Sequence, residues 1–313
     1  MAPKERRFRI LVCIDGSDES YRGLRYATRI GSGVDADITL LYIRPVDLGL
    51  SGGGLEARLT RENMLEWGLE LPGMKALKKA RDMLLEMGVM QENWEARTIH
   101  TEVRGDPLGD NMTEYTGDDG KQIILKIMVS PSVASGILDE CELNCYDIAI
   151  LAIASKNESD LGRAMIGPAV AQKVAAEHMG TVLVARELEE SHGHLICVTE
   201  AESSIAAAKK DAIIASRCAC PVFLFSVARN AEALPKAQAA IDRAREAIEA
   251  QGIALAGARV AVGDPVTRII EEGRNYSLIV LAASDARGLR RFFTTSVAYK
   301  VLENAENSVM IVR

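Results

Sequence analysis

The residue types that could do chemistry begin with a polar turn near the start of the chain. Asp15 and Ser17 follow an apolar run, with Gly16 between them. A carboxylate beside a hydroxyl is compatible with an activated nucleophile, but Ser17 also opens a helical stretch, where a serine hydroxyl accepts a backbone hydrogen bond. We predict that Ser17 is a helix N-cap. No pattern in the chain unites a nucleophile, a base and oxyanion donors, so the sequence predicts no enzyme.

Two cysteine pairs have spacings that occur in metal or redox sites. They are Cys141 with Cys145 and Cys218 with Cys220. A structural zinc site needs a second ligand pair, and none of the right type is present. Most of the six cysteines stand inside apolar runs, which predicts reduced, buried thiols and no metal site.

Composition excludes several classes of function. The 313 residues carry a net charge of -7 with a pI near 5.4, which argues against a protein that coats nucleic acid or an anionic membrane. No apolar stretch approaches the length that spans a bilayer, and no signal peptide opens the chain, so a cytoplasmic location is expected. One basic cluster, Arg287, Arg290 and Arg291 near Ser296, could hold an anion; the alternative is a salt-bridged surface.

The chain repeats itself, which predicts two domains. Ile10–Ser20 and Leu195–Ser204 are each an apolar run followed by a polar turn and an Ala-rich helix, and the halves close with Val182–Arg186 and Val309–Arg313. The predicted domains are residues 1–188 and 192–313. Between them lies a charged linker whose histidines, His192 and His194, are expected to be exposed to solvent.

The apolar runs are continuous and rich in Val and Ile, which suits strands covered on both faces of a parallel sheet. Helical patterns separate them; one is 238–251, which Gly252 ends. The first copy is about 57 residues longer than the second. We place this extra length near 44–73, as a surface excursion or a lid or partner-binding arm, and near 94–129, as a β-hairpin of strands 96–103 and 122–129.

Several of these segments together resemble the universal stress proteins in their tandem form. They are Val12–Ser17, Leu40–Ile43, Val129–Pro131, Val262–Pro265 and Gly288–Val301. The resemblance implies an α/β fold of two tandem open parallel-sheet domains of the Rossmann type, like the adenine-nucleotide alpha hydrolases. It further implies a pseudo-dimer in which the last strands, 182–185 and 309–312, pair with each other, a homodimer of chains, and a role in stress tolerance.

The resemblance also implies where ATP would bind. Family members that bind ATP carry a loop of the form Gly-x2-Gly-x9-Gly-Ser/Thr, whose glycines let backbone N–H groups approach phosphate. In the first copy only the last glycine remains, followed by Pro168. The implied site is therefore degraded and binds ATP weakly at most. Its residues are Asp15, Ile43, Ala154, Asn157 and Gly167.

The second copy has lost this pattern almost completely. All three loop glycines are replaced, Asp285 places a negative charge in the loop, and Thr199 stands where the first copy has Asp15. We therefore expect a non-catalytic stress-response module that binds a nucleotide or a protein. Two alternatives remain open: a nucleotide-dependent switch or weak ATPase, and a protein scaffold that uses the inserted segments.

Overall fold

The computed structural model describes residues 6–46, 73–103, 106–153, 166–186, 192–283 and 296–313. The first half contains seven strands and four helices within those residues. The strands are β1 (Phe8–Cys13), β2 (Ala36–Pro45), β3 (Glu95–Val103), β4 (Asp106–Thr116), β5 (Gln122–Ser130), β6 (Ile148–Ala152) and β7 (Thr181–Ala185). The helices are α1 (Asp18–Val34), α2 (Met74–Glu86), α3 (Val133–Leu143) and α4 (Pro168–Glu177).

The described part of the second half repeats the alternation of strands and helices in a shorter form. Its strands are β8 (His194–Cys197), β9 (Val222–Ala228), β10 (Gly257–Val262), β11 (Leu278–Ala282) and β12 (Ser308–Val312). Its helices are α5 (Glu202–Arg217), α6 (Leu234–Glu249), α7 (Pro265–Gly273) and α8 (Val297–Asn304). Helix α6 starts four residues before the predicted position, because Pro235 suits a first helical turn and Asn230 caps the short 3-10 turn before it.

All twelve strands form one sheet in the order β10-β9-β8-β11-β12-β7-β6-β1-β2-β5-β4-β3. Five neighbouring strands are parallel in the first half, and so are all five described strands of the second half. The two halves meet where β12 pairs antiparallel with β7. Val309 lies opposite Val184, and Ile311 opposite Val182. The predicted fold class and pairing of the last strands are both confirmed. Each strand covers the edge that the other would leave open.

The core lies on both faces of this sheet. Ile10, Val12 and Leu40 pack under α1 and α2 on one face, while Leu11, Cys13 and Leu41 pack under α3 and α4 on the other. Alternate residues of one strand thus enter opposite apolar layers, which explains why the strands read as continuous hydrophobic runs. No helix in the described ranges is long and apolar enough to cross a membrane.

The extra strands of the first half correct the predicted hairpin. Segment 122–129 is not the partner of 96–103. It lies in β5, which pairs with β2 and is the third parallel strand of the domain in chain order. Strand β4 was not predicted, and it pairs antiparallel with both β3 and β5. The alternation of apolar and polar residues in β4 is weak, because the strand is rich in Asp, Asn and Thr. The other predicted insertion, 44–73, lies mostly outside the described residues.

Candidate functional site

Asp15 lies in the turn between β1 and α1, at the carboxyl edge of the parallel strands. Gly16 allows this turn, because its φ of 88° is in the left-handed region. The Asp15 Oδ1 atom accepts hydrogen bonds from the Ser17 backbone N–H at 2.9 Å and from the Ser17 hydroxyl at 2.5 Å. The Ser17 oxygen in turn accepts from the Ser20 N–H at 3.2 Å. Ser17 is therefore the N-cap of α1, as predicted.

The second oxygen of Asp15 connects this turn to the segment that follows β6. Asp15 Oδ2 accepts a hydrogen bond from the Ile166 N–H at 3.1 Å, and Ile166 is followed directly by Gly167, the N-cap residue of α4. The structure thus brings Asp15 and Gly167 to the same edge of the sheet, although they are far apart in sequence. Ala154 and Asn157 lie outside the described residues.

A small apolar pocket adjoins the Asp15 carboxylate, and Ile43 is part of its wall. The other described lining residues are Cys13, Ile14, Leu41, Val133, Ile137 and Ile166. The space open to the centre of a water molecule is about 10 Å³, which is room for about one water. Helix α3 narrows the pocket, since Gly136 packs directly on Ile43, where an added Cβ would come within 2.7 Å of Ile43 Cδ1. The space between the described residues is far smaller than a purine base.

Gly167 is not required by packing against the described residues. A Cβ built on it meets nothing within 4 Å, and its φ of -90° is open to any residue. Its carbonyl accepts hydrogen bonds from Val170 and Ala171 at 3.0 and 3.1 Å. A Cβ at this position therefore clashes with none of the described residues.

The corresponding turn of the second half has a different chemistry. Thr199 is exposed, and its hydroxyl accepts from the Ala201 N–H at 3.4 Å. Ser296 is the N-cap of α8 and accepts from the Tyr299 N–H at 3.1 Å, so this hydroxyl already has a structural role. The predicted anion cluster of Arg287, Arg290 and Arg291 lies outside the described residues.

Two arginines join the halves in a reciprocal way. Arg186 follows β7 and donates to the carbonyls of Leu302 and Asn307 at 2.6 and 3.0 Å, near the C-terminal end of α8. Arg313 follows β12 and donates to the carbonyl of Ala175 at 2.6 Å, near the C-terminal end of α4. Each domain thus supplies a cation to the negative end of a helix in the other. Burial lowers the pKa of Arg186 to about 10.

The prediction that His194 is exposed is wrong. It is 1% exposed, its Nδ1 lies 3.0 Å from Asp211 Oδ2, and its Nε2 lies 3.0 Å from the Tyr26 hydroxyl. Burial alone would lower the pKa of His194, but Asp211 and Cys220 together raise it to about 9. A sequence signal was available: Asp211 stands on the apolar face of α5, between Ala208 and Ala212. An acidic residue in such a place indicates a buried partner.

The cysteines agree with the expectation of free thiols. All six are unpaired, and four of them are buried. Burial raises the pKa of the Cys13 thiol beside Asp15, and also those of Cys141 and Cys197. Among the described residues, no three His, Cys, Asp or Glu side chains are grouped to hold a metal ion.

Comparison with known proteins gives a family match and a fold match. The model of the universal stress protein family matches residues 194–313. A universal stress protein structure from Archaeoglobus fulgidus DSM 4304 covers 97% of this chain and 96% of its own, at 13% identity and a TM-score of 0.60. A structure from Pseudomonas aeruginosa UCBPP-PA14, provisionally given the same family name, covers 98% and 93%, at 13% identity and a TM-score of 0.58. No curated protein matches the sequence.

The chain is therefore a two-domain α/β protein with the fold of tandem universal stress proteins. Its residues 194–313 are a domain of the universal stress protein family, and the resemblance seen in the sequence is confirmed.

Proposed function

We propose that the protein is a non-catalytic regulatory module of the stress response, located in the cytoplasm, with one narrowed adenine-nucleotide site in its first domain. The observation that carries this proposal is the joining of Asp15 to Ile166 beside the Ile43 pocket. A fixed carboxylate, an apolar wall and the start of a helix meet there. An apolar pocket with a few convergent polar groups is the usual form of a small-molecule site.

The lining of the pocket supports binding in preference to catalysis. Its described residues are aliphatic apart from Cys13 and Asp15. Burial first, and then Cys141, Asp15 and Glu140, raise the pKa of Cys13, so this thiol stays protonated and is a poor nucleophile. Asp15 already accepts three hydrogen bonds, which hold its carboxylate in place.

Calorimetric titration with ATP and Mg²⁺ tests this proposal. The variants are Gly167→Val, Asp15→Ala and, as the matched control in the second half, Thr199→Ala. We expect weak binding of one nucleotide per chain, which Gly167→Val and Asp15→Ala abolish and Thr199→Ala leaves unchanged. Absence of heat at millimolar ATP would refute the nucleotide site. Phosphate release by the wild type that Gly167→Val abolishes would favour the alternative of a weak ATPase or nucleotide-dependent switch.

A second candidate function is a protein scaffold, favoured by one observation on the inserted strands. Strand β3 lies at one edge of the sheet, and most of its side chains are exposed. No described strand pairs with its outer edge, where a partner could add a strand. The second half lacks such inserted strands, because there α6 is followed directly by β10, the counterpart of β5. Deleting residues 93–118 would connect α2 to β5 in the same way. A scaffold role predicts that a bound partner is lost while nucleotide titration stays the same.

A further inference from the structure

A chain of three buried polar side chains crosses the junction between the two domains. Asp211 of α5 and His194 of β8 belong to the second half, and Tyr26 of α1 belongs to the first. His194 Nδ1 lies 3.0 and 3.3 Å from the two Asp211 carboxylate oxygens, and its Nε2 lies 3.0 Å from the Tyr26 hydroxyl. All three side chains are buried, and α1 packs against α5. The imidazole ring therefore has a partner in each domain.

The burial of Asp211 indicates the charge of this ring. The Asp211 side chain is fully buried, and among the described residues His194 supplies its only hydrogen bonds. A buried carboxylate without a compensating charge is strongly unfavourable, whereas two carboxylate oxygens facing one N–H suit an imidazolium. Protonated at both nitrogens, the His194 ring donates from Nδ1 to Asp211 and from Nε2 to Tyr26.

The other groups around the ring are few. Arg29 of α1 adds a positive charge near the Tyr26 hydroxyl, and Cys218 and Cys220 stand in the turn after α5. On either side of His194 in the sheet lie the apolar residues Val222 and Leu278. Among the described residues, Asp211 is thus the carboxylate that faces the ring.

The pKa values follow the same geometry. Burial alone would lower the pKa of His194, but Asp211 and then Cys220 raise it above its ordinary value. Burial and then Asp211 raise the pKa of Tyr26 well above its ordinary value. The Tyr26 hydroxyl therefore keeps its own proton over the range in which His194 titrates.

We propose that a proton helps to join the two domains: His194 is an imidazolium fixed between Asp211 and Tyr26, and its deprotonation at alkaline pH weakens the contact of α1 with α5. Deprotonation leaves the Asp211 carboxylate buried beside a neutral ring, at the point where the first domain packs on the second. This uncompensated charge destabilises the junction. The fold thus contains a pH-sensitive device between its halves.

The first test is the charge of His194 in the intact protein, read from the nitrogen-15 chemical shifts of its ring. The ring is identified by Overhauser contacts to Tyr26, whose hydroxyl lies 3.0 Å from Nε2. At pH 7.5 we expect both ring nitrogens to carry protons, whereas a histidine of the urea-unfolded chain is mostly neutral. Asp211→Asn keeps the shape of the side chain and should make His194 neutral. A neutral His194 in the wild type, or an imidazolium that persists in Asp211→Asn, would overturn the proposal.

The second test is urea unfolding between pH 6.5 and 9.5. The pKa of His194 is about 9 in the folded protein against an ordinary 6.5, so its stabilising contribution is complete below pH 6.5 and is lost as the pH rises through 9. The unfolding equilibrium constant of the wild type should therefore rise by up to about 300-fold relative to His194→Gln. Cys220→Ser, which removes the neighbouring thiol, should keep this rise. No rise relative to His194→Gln, or a rise that disappears in Cys220→Ser, would contradict the proposal.

The third measurement distinguishes a joint between domains from a local ion pair. Both tryptophans lie in the first half, so their fluorescence follows that domain, while circular dichroism follows the whole chain. In the wild type the two urea transitions should coincide at pH 6.5 and separate at pH 9.5. In Asp211→Asn the relation between the two transitions should be the same at both pH values. Transitions of the wild type that coincide at pH 9.5 would show that the proton does not join the domains.

Discussion

Replacing Arg186 by Met tests how the two domains are held together. The side chain reaches from the end of β7 to the end of α8, where it donates to the Leu302 and Asn307 carbonyls. Methionine keeps most of the aliphatic volume and removes both donors. The two carbonyls would then be left without these partners in a site where the native arginine is only 9% exposed.

The magnitude follows from opposing contributions. A pKa of about 10 in place of 12.5 for Arg186 means that burial of the guanidinium costs roughly 3 kcal/mol. Its two hydrogen bonds offset this, at about 1.5 to 3 kcal/mol each for a charged donor. The pair of carbonyls left by the substitution carries a further penalty of about 1 to 3 kcal/mol each. Taken at their lower ends, these contributions predict that Arg186→Met lowers the free energy of unfolding by at least about 2 kcal/mol.

Urea unfolding followed by two probes would measure this loss and locate it. Both tryptophans lie in the first half, so their fluorescence reports that domain, while circular dichroism reports the whole chain. If Arg186 joins the domains, the two transitions should separate in Arg186→Met. Arg313→Met should behave alike, whereas Arg274→Met, whose ion pair to Glu306 is exposed, should change stability by less than about 0.5 kcal/mol. Coincident transitions with a loss as small as that of Arg274→Met would refute the reasoning.

Two further predictions concern buried polar groups of the first domain. Burial and then Arg313 lower the pKa of His178 to about 4, below its ordinary 6.5, so the unfolded chain binds more protons between these values. The contribution of His178 to the free energy of unfolding should fall by at most roughly 3 kcal/mol as the pH drops from 7 to 4. His178→Leu should lack this contribution to the pH dependence, which urea unfolding at pH 7 and pH 4 would measure. Glu140, 1% exposed, accepts from Lys126 Nζ at 2.6 Å and the Tyr146 hydroxyl at 2.7 Å. In thermal or urea unfolding Glu140→Ala should cost about 3 to 5 kcal/mol, against less than about 0.5 kcal/mol for the exposed control Glu271→Ala.

The parts of the fold that could be predicted from sequence are those set by local pattern and repetition. Continuous apolar runs gave the parallel strands, and the Asp-Gly-Ser turn gave the N-cap at Ser17. The similar ends of the halves, with the resemblance to a paired family, predicted the contact of β7 with β12. Strand β4 was not predicted from the sequence, because its side chains are largely polar although both its edges are paired. Neither hydrophobic alternation nor a continuous apolar run marks it.

The candidate site was proposed from the resemblance to the universal stress proteins, and it stays a prediction. The structure joins the segments of two of its residues, Asp15 and Gly167, through the Ile166 N–H. The burial of His194 was missed although Asp211 on the apolar face of α5 indicates a buried partner, because the local sequence does not identify that partner and Tyr26 comes from the other domain. Short polar motifs in the linker predicted exposure, and contacts distant in sequence determined the outcome.

The two halves agree in the residues that join them and differ in those that would hold a ligand. Thr181 and Ser308 both begin the pairing strands fully buried, and Arg186 and Arg313 both reach the partner domain. Asp15, by contrast, corresponds to Thr199 in the other copy. A symmetric interface combined with one nucleotide site fits the proposed regulatory module, in which only the first half would bind a nucleotide.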